Sequence, residues 1–135
     1  MKVSFCIILF ICFCMKTMSC DVVTPFKHHM KNYNLVLPLT PIIDEVDLNN
    51  DNQKDYIVTT RDQCGTRGCE YSIYIKGRDC YEFSGQFQGN YSILDKIKGP
   101  TKIIQVRYRD THLSIHKNYQ LIFDNGKKLY REPSR

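Results

Sequence analysis

The sequence of 135 residues lacks the short motifs that mark the common enzyme classes. It contains no G-x-S-x-G nucleophile elbow, no H-E-x-x-H helix, no phosphate-binding P-loop and no G-x-G-x-x-G dinucleotide fingerprint. A non-enzymatic module is therefore the first hypothesis. The competing hypothesis is a small hydrolase that uses His112 and His116, expected on one face of a strand, together with the carboxylates of the acidic segment at residues 44–55.

The sequence also lacks an apolar run long enough to span a membrane, which needs about twenty residues. Its longest apolar run follows Lys2, covers about thirteen residues and ends before Lys16, which is typical of a secretory signal peptide. We therefore predict a signal peptide at residues 1–19 and a single domain at residues 20–135. A retained membrane anchor is the alternative, and Lys16 argues against it.

No linker, low-complexity tract or long amphipathic helix divides the rest of the chain, whose length of about 115 residues suits one domain. Segments rich in β-branched and aromatic residues recur about every eight to twelve residues with turn residues between them, which predicts antiparallel hairpins. The predicted fold class is mainly β, an antiparallel sheet or meander with one short N-terminal helix, and α+β is the alternative. Residues 21–34 are expected to be an extended lead or one short helix, and residues 35–39 an edge strand or an extended packing segment. The other strands are expected at 42–48, 56–60, 71–76, 80–83, 91–97, 101–108, 119–123 and 127–130.

The acidic segment carries oxygen-bearing side chains at every second position, at Asp47, Asn49, Asp51, Gln53 and Asp55. Calcium takes about six to eight oxygen ligands, and a tightly turning loop supplies them from positions 1, 3, 5, 7 and 9. Position 7 contributes a backbone carbonyl, here that of Gln53. Five carboxylates within twelve residues are offset by Lys54 alone, and a divalent cation would relieve their repulsion. These five residues are the predicted calcium site.

Two positions of this loop depart from an EF-hand. Position 6 is Asn52 where an EF-hand has glycine, although asparagine also tolerates the left-handed conformation. Position 12 is Val58, so the bidentate glutamate is missing and an EF-hand is not expected. The alternative to an ion site is a solvated turn, because Asp and Asn hydrogen-bond their own backbone in turns.

The stretch D-L-N-N-D-N-Q-K-D-Y-I-V at residues 47–58 resembles the D-x-[DN]-x-D-x-x-x-D calcium loops of FG-GAP-type repeats, in which a hairpin holds the ion. C-G-T-R-G-C and the strand-like E-Y-S-I-Y-I follow it. In this respect the chain resembles small exported bacterial proteins of unknown function that carry a D-L-N-x-D loop and a C-G-x-x-G-C turn. The resemblance covers about a quarter of the chain. It implies a β-rich exported domain and no known activity.

Four of the seven cysteines lie beyond the predicted signal peptide. We expect a disulfide between Cys64 and Cys69 in an oxidising compartment, because the glycines at 65 and 68 let the chain turn back sharply. A catalytic dithiol or a zinc site would be the alternative use of these cysteines.

Cys20 has two possible fates. Residues 17–20 loosely resemble a bacterial lipobox, and a lipidated Cys20 would anchor the protein to a membrane. If Cys20 is not lipidated, we expect it to pair with Cys80, whereas lipidation would leave Cys80 as an odd thiol.

The net charge of +5 is unevenly distributed. Acids cluster at residues 44–55, whereas from Lys96 onward ten Lys and Arg face three acids. This asymmetry favours an acidic partner or an anionic surface, and a solvated sheet face is the alternative. The chain is small, rich in tyrosine and without a catalytic motif, so we predict a protein partner rather than a nucleic acid, and a monomer.

These patterns predict an exported, non-enzymatic binding or inhibitory module with a calcium-stabilised loop, periplasmic or secreted, which engages a protein in the cell envelope. No catalytic residue is assigned, and calcium is the expected cofactor. The alternatives are a structural envelope lipoprotein anchored through Cys20 and the small hydrolase based on His112 and His116.

Overall fold

The computed structural model describes residues 20–31, 40–98 and 101–133, with the backbone alone for residues 96–98. Within these ranges the chain forms one α-helix and nine strands in two antiparallel sheets, which confirms the predicted mainly β class. The predicted signal peptide and the predicted strand at 35–39 lie outside the described residues. The elements are α1 (Val23–Lys31), β1 (Pro41–Val46), β2 (Asp55–Thr60), a 3-10 turn (Arg61–Gln63), β3 (Cys64–Gly65), β4 (Gly68–Lys76), β5 (Tyr81–Gln88), β6 (Asn90–Lys98), β7 (Thr101–Asp110), β8 (Ile115–Asp124) and β9 (Leu129–Arg131).

The first sheet has the strand order β1-β2-β4-β5, and the short β3 pairs with the start of β4. β4 is central, and its side chains alternate between the two faces of the sheet as predicted. Ile73 packs in the core between the two sheets, whereas the neighbouring Tyr74 packs on the outer face. Ile57 and Val58 of β2 divide in the same way, so the middle of this sheet is buried on both faces.

The second sheet is a meander of β6, β7, β8 and β9 in chain order. The predicted final hairpin is confirmed, because Asp124 Oδ1 accepts the N–H groups of Gly126 and Lys127 at 2.9 and 3.2 Å and β9 pairs back onto β8. β8 begins at Ile115, four residues before the predicted start at 119. After Ile115 it continues with three polar, exposed residues at 116–118, so the sequence shows no strand pattern there, and pairing with β7 extends the strand.

The main core lies between the two sheets and draws on both. Gly89 joins β5 to β6, where the chain passes from the first sheet to the second, with φ 130°. A Cβ at this position would lie 2.6 Å from the carbonyl oxygen of Arg107, so a side chain does not fit. The buried members of the core are Leu48, Ile57, Ile73, Phe87, Ile104, Val106, Leu121 and Tyr130.

Helix α1 forms a third layer on the outer face of the first sheet. Phe26 and Met30, one turn apart, pack with Val58 and Tyr74. Asp21 holds the first turn, since its carboxylate accepts the Thr24 N–H at 2.7 Å. A helix of nine residues is marginal in isolation, so its stability comes from this packing.

Two disulfides crosslink the described residues, one within the first sheet and one between the first sheet and the chain before α1. The predicted bond between Cys64 and Cys69 links β3 to β4, and the bond between Cys20 and Cys80 ties the chain before α1 to the loop between β4 and β5. A cysteine sulfur in a disulfide cannot also carry a lipid. Of the two fates considered for Cys20, the structure therefore shows the pairing with Cys80. None of the described segments forms a helix long and apolar enough to cross a bilayer.

Candidate functional site

The predicted calcium loop is the connection between β1 and β2, and its side chains turn inward onto its own backbone. The Asp47 carboxylate accepts the N–H groups of Asp51 and Asn52 at 3.2 and 3.1 Å. Asn49 Oδ1 also accepts the Asp51 N–H at 3.1 Å, and Asp51 Oδ1 accepts the Gln53 N–H at 2.7 Å. Four of the five predicted residues, all except Asp55, thus take part in a single network within the loop.

The backbone of the loop turns through two asparagines. Asn50 and Asn52 have φ of 59° and 62°, in the left-handed region that asparagine tolerates better than most residues. Asn52 therefore takes the conformation that glycine has at position 6 of an EF-hand loop.

Asp55, the fifth predicted residue, is fully buried at the start of β2. Its Oδ2 accepts the Leu48 N–H and its Oδ1 accepts the Lys76 N–H, both at 2.8 Å. Its carboxylate therefore ties the loop to the end of β4. Burial raises the pKa of Asp55 above its usual value, the two N–H groups act in the opposite direction, and the carboxylates of Asp51 and Asp47 raise it further.

The donor set of the loop suits calcium by its chemistry. It offers carboxylate, amide and carbonyl oxygens, which are the ligands of a hard cation. Within the ranges described, no group of three or more His, Cys, Asp and Glu side chains has the geometry of a metal site. Each oxygen that accepts an N–H keeps a second lone pair, and those remaining lone pairs are what the loop can offer to an ion.

A second aspartate organises the turn between β7 and β8, at residues 111–114. Asp110 is 2% exposed, and its Oδ1 accepts the N–H groups of His112 and Leu113 at 3.0 and 3.2 Å. Its Oδ2 pairs with Arg67 Nε at 2.9 Å. Burial alone would raise the pKa of Asp110, but the Leu113 N–H, the Arg67 guanidinium and the His112 N–H lower it below its usual value.

The expected arrangement of His112 and His116 on one face of a strand is wrong. His112 lies in the turn, where the chain reverses, and His116 is the second residue of β8. Both side chains are exposed. The prediction failed because the polar residues at the start of β8 gave no sign that the chain reverses between Asp110 and Ile115.

The acidic loop and this turn lie at opposite ends of β7. The carbonyl of Leu48 accepts the N–H of Lys102 at 2.6 Å near the start of β7, whereas Asp110 is its last residue. The eight steps from Lys102 to Asp110 span about 26 Å of extended chain, at about 3.3 Å per residue. The carboxylates at 47–55 therefore cannot act together with His112 and His116 on one substrate.

The turn between β7 and β8 presents two large apolar side chains to solvent. Leu113 is 65% exposed and Ile115 is 45% exposed. We define residues 111–115 as the hairpin tip. Sequence patterning did not single out this surface, although two aliphatic residues set among polar ones in T-H-L-S-I-H-K were the available signal.

Comparisons of the chain with protein-family models, with curated proteins and with solved structures give no match. The candidate sites are therefore argued from their geometry and chemistry alone.

Proposed function

We propose that the protein is an exported, non-enzymatic binding or inhibitory module that engages a protein partner in the cell envelope, with calcium held by its β1–β2 loop. The observation that carries the calcium site is the surroundings of Asp55. This fully buried carboxyl has two further carboxylates, Asp47 and Asp51, as electrostatic neighbours, and none of the four ion pairs among the described residues includes it.

A buried carboxylate with like-charged neighbours is unfavourable unless a cation compensates it. Calcium at this loop would take the remaining lone pairs of Asp47, Asn49, Asp51 and Asp55 with the Gln53 carbonyl, and would favour the ionised form of all three carboxyls. Since the Asp55 carboxylate accepts the N–H groups of Leu48 and Lys76, the ion would also stabilise the junction of β1, β2 and β4.

Two disulfides among the described residues support export, because disulfides persist in oxidising compartments. The separation of His112 and His116 from the loop carboxylates weighs against the hydrolase and supports a binding role. A screen of the purified protein on cell-wall and ester substrates tests this directly. We expect no turnover, and turnover that His116→Ala abolishes would refute the non-enzymatic assignment.

Thermal unfolding of the purified protein with calcium and with a chelator tests the ion site. A ligand at a hundred times its dissociation constant stabilises the folded state by about 2.7 kcal/mol. In a domain of this size that free energy raises Tm by roughly 10 °C. We expect a rise of this order in wild type and its loss in Asp51→Ala.

The matched control is Asp62→Ala, which removes an exposed carboxylate from the 3-10 turn, outside the loop. This variant is expected to keep the full calcium response. A wild-type Tm that does not change at millimolar calcium would reduce the loop to a hydrogen-bonded turn. Magnesium is a second control, because it demands a smaller octahedral site and should stabilise less.

A further inference from the structure

We propose that the hairpin tip is the docking surface of the protein, and that Leu113 and Ile115 enter an apolar pocket rimmed by carboxylates on an acidic protein partner. This inference rests on the proposed binding function and names its surface and the chemistry of its partner.

The first argument is the exposure of apolar area at one point. Leu113 and Ile115 are two of the four large hydrophobic side chains exposed among the described residues, and they are two positions apart. The other two, Ile42 and Phe83, lie on different strands of the first sheet. Burial of exposed apolar side chains is a main source of binding free energy, and the tip offers two such side chains close together.

The second argument is that the tip is held in place before binding. Asp110 accepts two backbone N–H groups of the turn and is itself paired with Arg67, which projects from the β3–β4 turn. Ser114 takes a φ of 51° to complete the reversal. A turn already ordered in the free protein loses less conformational entropy on binding, which favours affinity.

The third argument is charge. Between positions 107 and 118 the basic residues are Arg107, Arg109 and Lys117, and the one acid is Asp110. Asp110 is buried and paired, and Lys117 is paired with Glu132 at 2.9 Å. Arg107 and Arg109 are exposed and give the surface around the tip its positive charge. Electrostatic complementarity therefore selects an acidic partner and speeds its association.

Magnitudes favour a protein pocket over an anionic membrane. The side chains of Leu113 and Ile115 hold eight carbons between them, and only their exposed fractions, 65% and 45%, remain to be buried on binding. A single myristoyl chain is longer, and still gives only marginal, reversible membrane binding. Arg107 and Arg109 would be attracted to either surface, so the preference for a protein rests on the small apolar area of the tip, which a pocket encloses on all sides and a membrane surface holds only weakly.

Selection from a phage-displayed library of random cyclic peptides on the immobilised purified protein tests the proposal. We expect enriched peptides that combine Asp or Glu with Leu, Ile or Phe. Their affinity should fall by about tenfold or more for Leu113→Asp and for Ile115→Asp, as for the loss of a buried anchor. Ile42→Asp is the matched control, since Ile42 is 47% exposed and Ile115 is 45% exposed, and it should bind like wild type.

The outcomes separate this inference from the proposed function. Peptides that bind Leu113→Asp and Ile115→Asp as tightly as wild type would leave a binding module in place and overturn the tip as its surface. No enrichment on wild type would overturn the tip and the binding role together, while the calcium response is measured independently. Sedimentation with phosphatidylglycerol vesicles that requires Leu113 would assign the tip to a membrane and overturn the protein partner.

Discussion

Two turns at opposite ends of β7 are organised by one buried aspartate each, and they differ in the charge that surrounds it. Asp55 and Asp110 both accept two backbone N–H groups. Burial raises the pKa of Asp55 and the carboxylates near it add to this rise, whereas Arg67 beside Asp110 helps to lower the pKa of that carboxyl. Asp110 therefore has a counter-charge, supplied by Arg67 of the β3–β4 turn, whereas none of the ion pairs among the described residues includes Asp55.

The comparison shows that similar hydrogen bonding can serve two purposes. A buried aspartate paired with arginine is electrostatically complete and holds a turn rigid. A buried aspartate among carboxylates has no counter-charge of its own, and the proposed calcium ion would supply one. The same arrangement of hydrogen bonds thus occurs in a turn with its own counter-charge, the proposed docking turn, and in the proposed ion-dependent junction.

Removal of the Asp55 carboxylate is expected to have the largest effect. Asp55→Ala leaves the N–H groups of Leu48 and Lys76 without their acceptors in a buried site, which should lower the free energy of unfolding by about 2 to 5 kcal/mol. Urea unfolding measures this change. Asp62→Ala, at an exposed carboxylate, should stay within about 0.5 kcal/mol. If Asp55→Ala does not fold, Asp55→Asn keeps one acceptor and should show an intermediate loss of unfolding free energy. A loss no greater than that of Asp62→Ala would contradict the role of Asp55.

Removal of the Asp110 carboxylate should have a smaller and more local effect. In Asp110→Ala the turn N–H groups lose their acceptor, and amide exchange at His112 and Leu113 should accelerate by about tenfold. Hydrogen exchange followed by NMR measures these rates. Amides in β2 should be unaffected, and acceleration there as well would show that the tip is not an independent unit.

In the presence of a chelator, the contributions of Asp55 and Asp110 to the free energy of unfolding should depend on pH in opposite ways. The folded state raises the pKa of Asp55, so it binds more protons than the unfolded chain above pH 3.8, and the contribution of Asp55 falls as pH rises through the raised pKa. The folded state lowers the pKa of Asp110, so the contribution of Asp110 is complete above pH 3.8 and is lost as pH falls through the lowered pKa.

Urea unfolding of wild type, Asp55→Asn and Asp110→Asn across this pH range measures the two contributions as differences from wild type. Calcium should remove the Asp55 dependence, because the ion favours the carboxylate form. Contributions of the same sign for both aspartates would break the comparison.

The smallest effect is expected for the arginine partner. Arg67→Gln leaves Asp110 bonded to the His112 and Leu113 N–H groups and removes an ion pair whose arginine is about half exposed. Tm should fall by roughly 2 to 4 °C. The calcium response of Arg67→Gln should equal that of wild type, and a reduced response would mean that the two turns are coupled through β7.

Much of the fold was predictable from local pattern. Alternating side chains in β4, turn residues before β9 and the glycines beside Cys64 and Cys69 act over a few residues, and the structure confirms the elements they indicate. The polar start of β8 was missed because its strand conformation depends on hydrogen bonds to β7. The short helix was predicted without its packing, since Tyr74 lies far from it in the chain.

The candidate sites divide in the same way. Sequence alone determined the hydrogen-bond network inside the acidic loop, because its oxygen-bearing side chains accept backbone N–H groups only a few positions away. Tertiary structure decided that Asp55 is buried against Leu48 and Lys76, that Arg67 meets Asp110, and that the histidines lie far from the loop carboxylates. Those relations depend on strand order and register, and pairing between distant segments determines both.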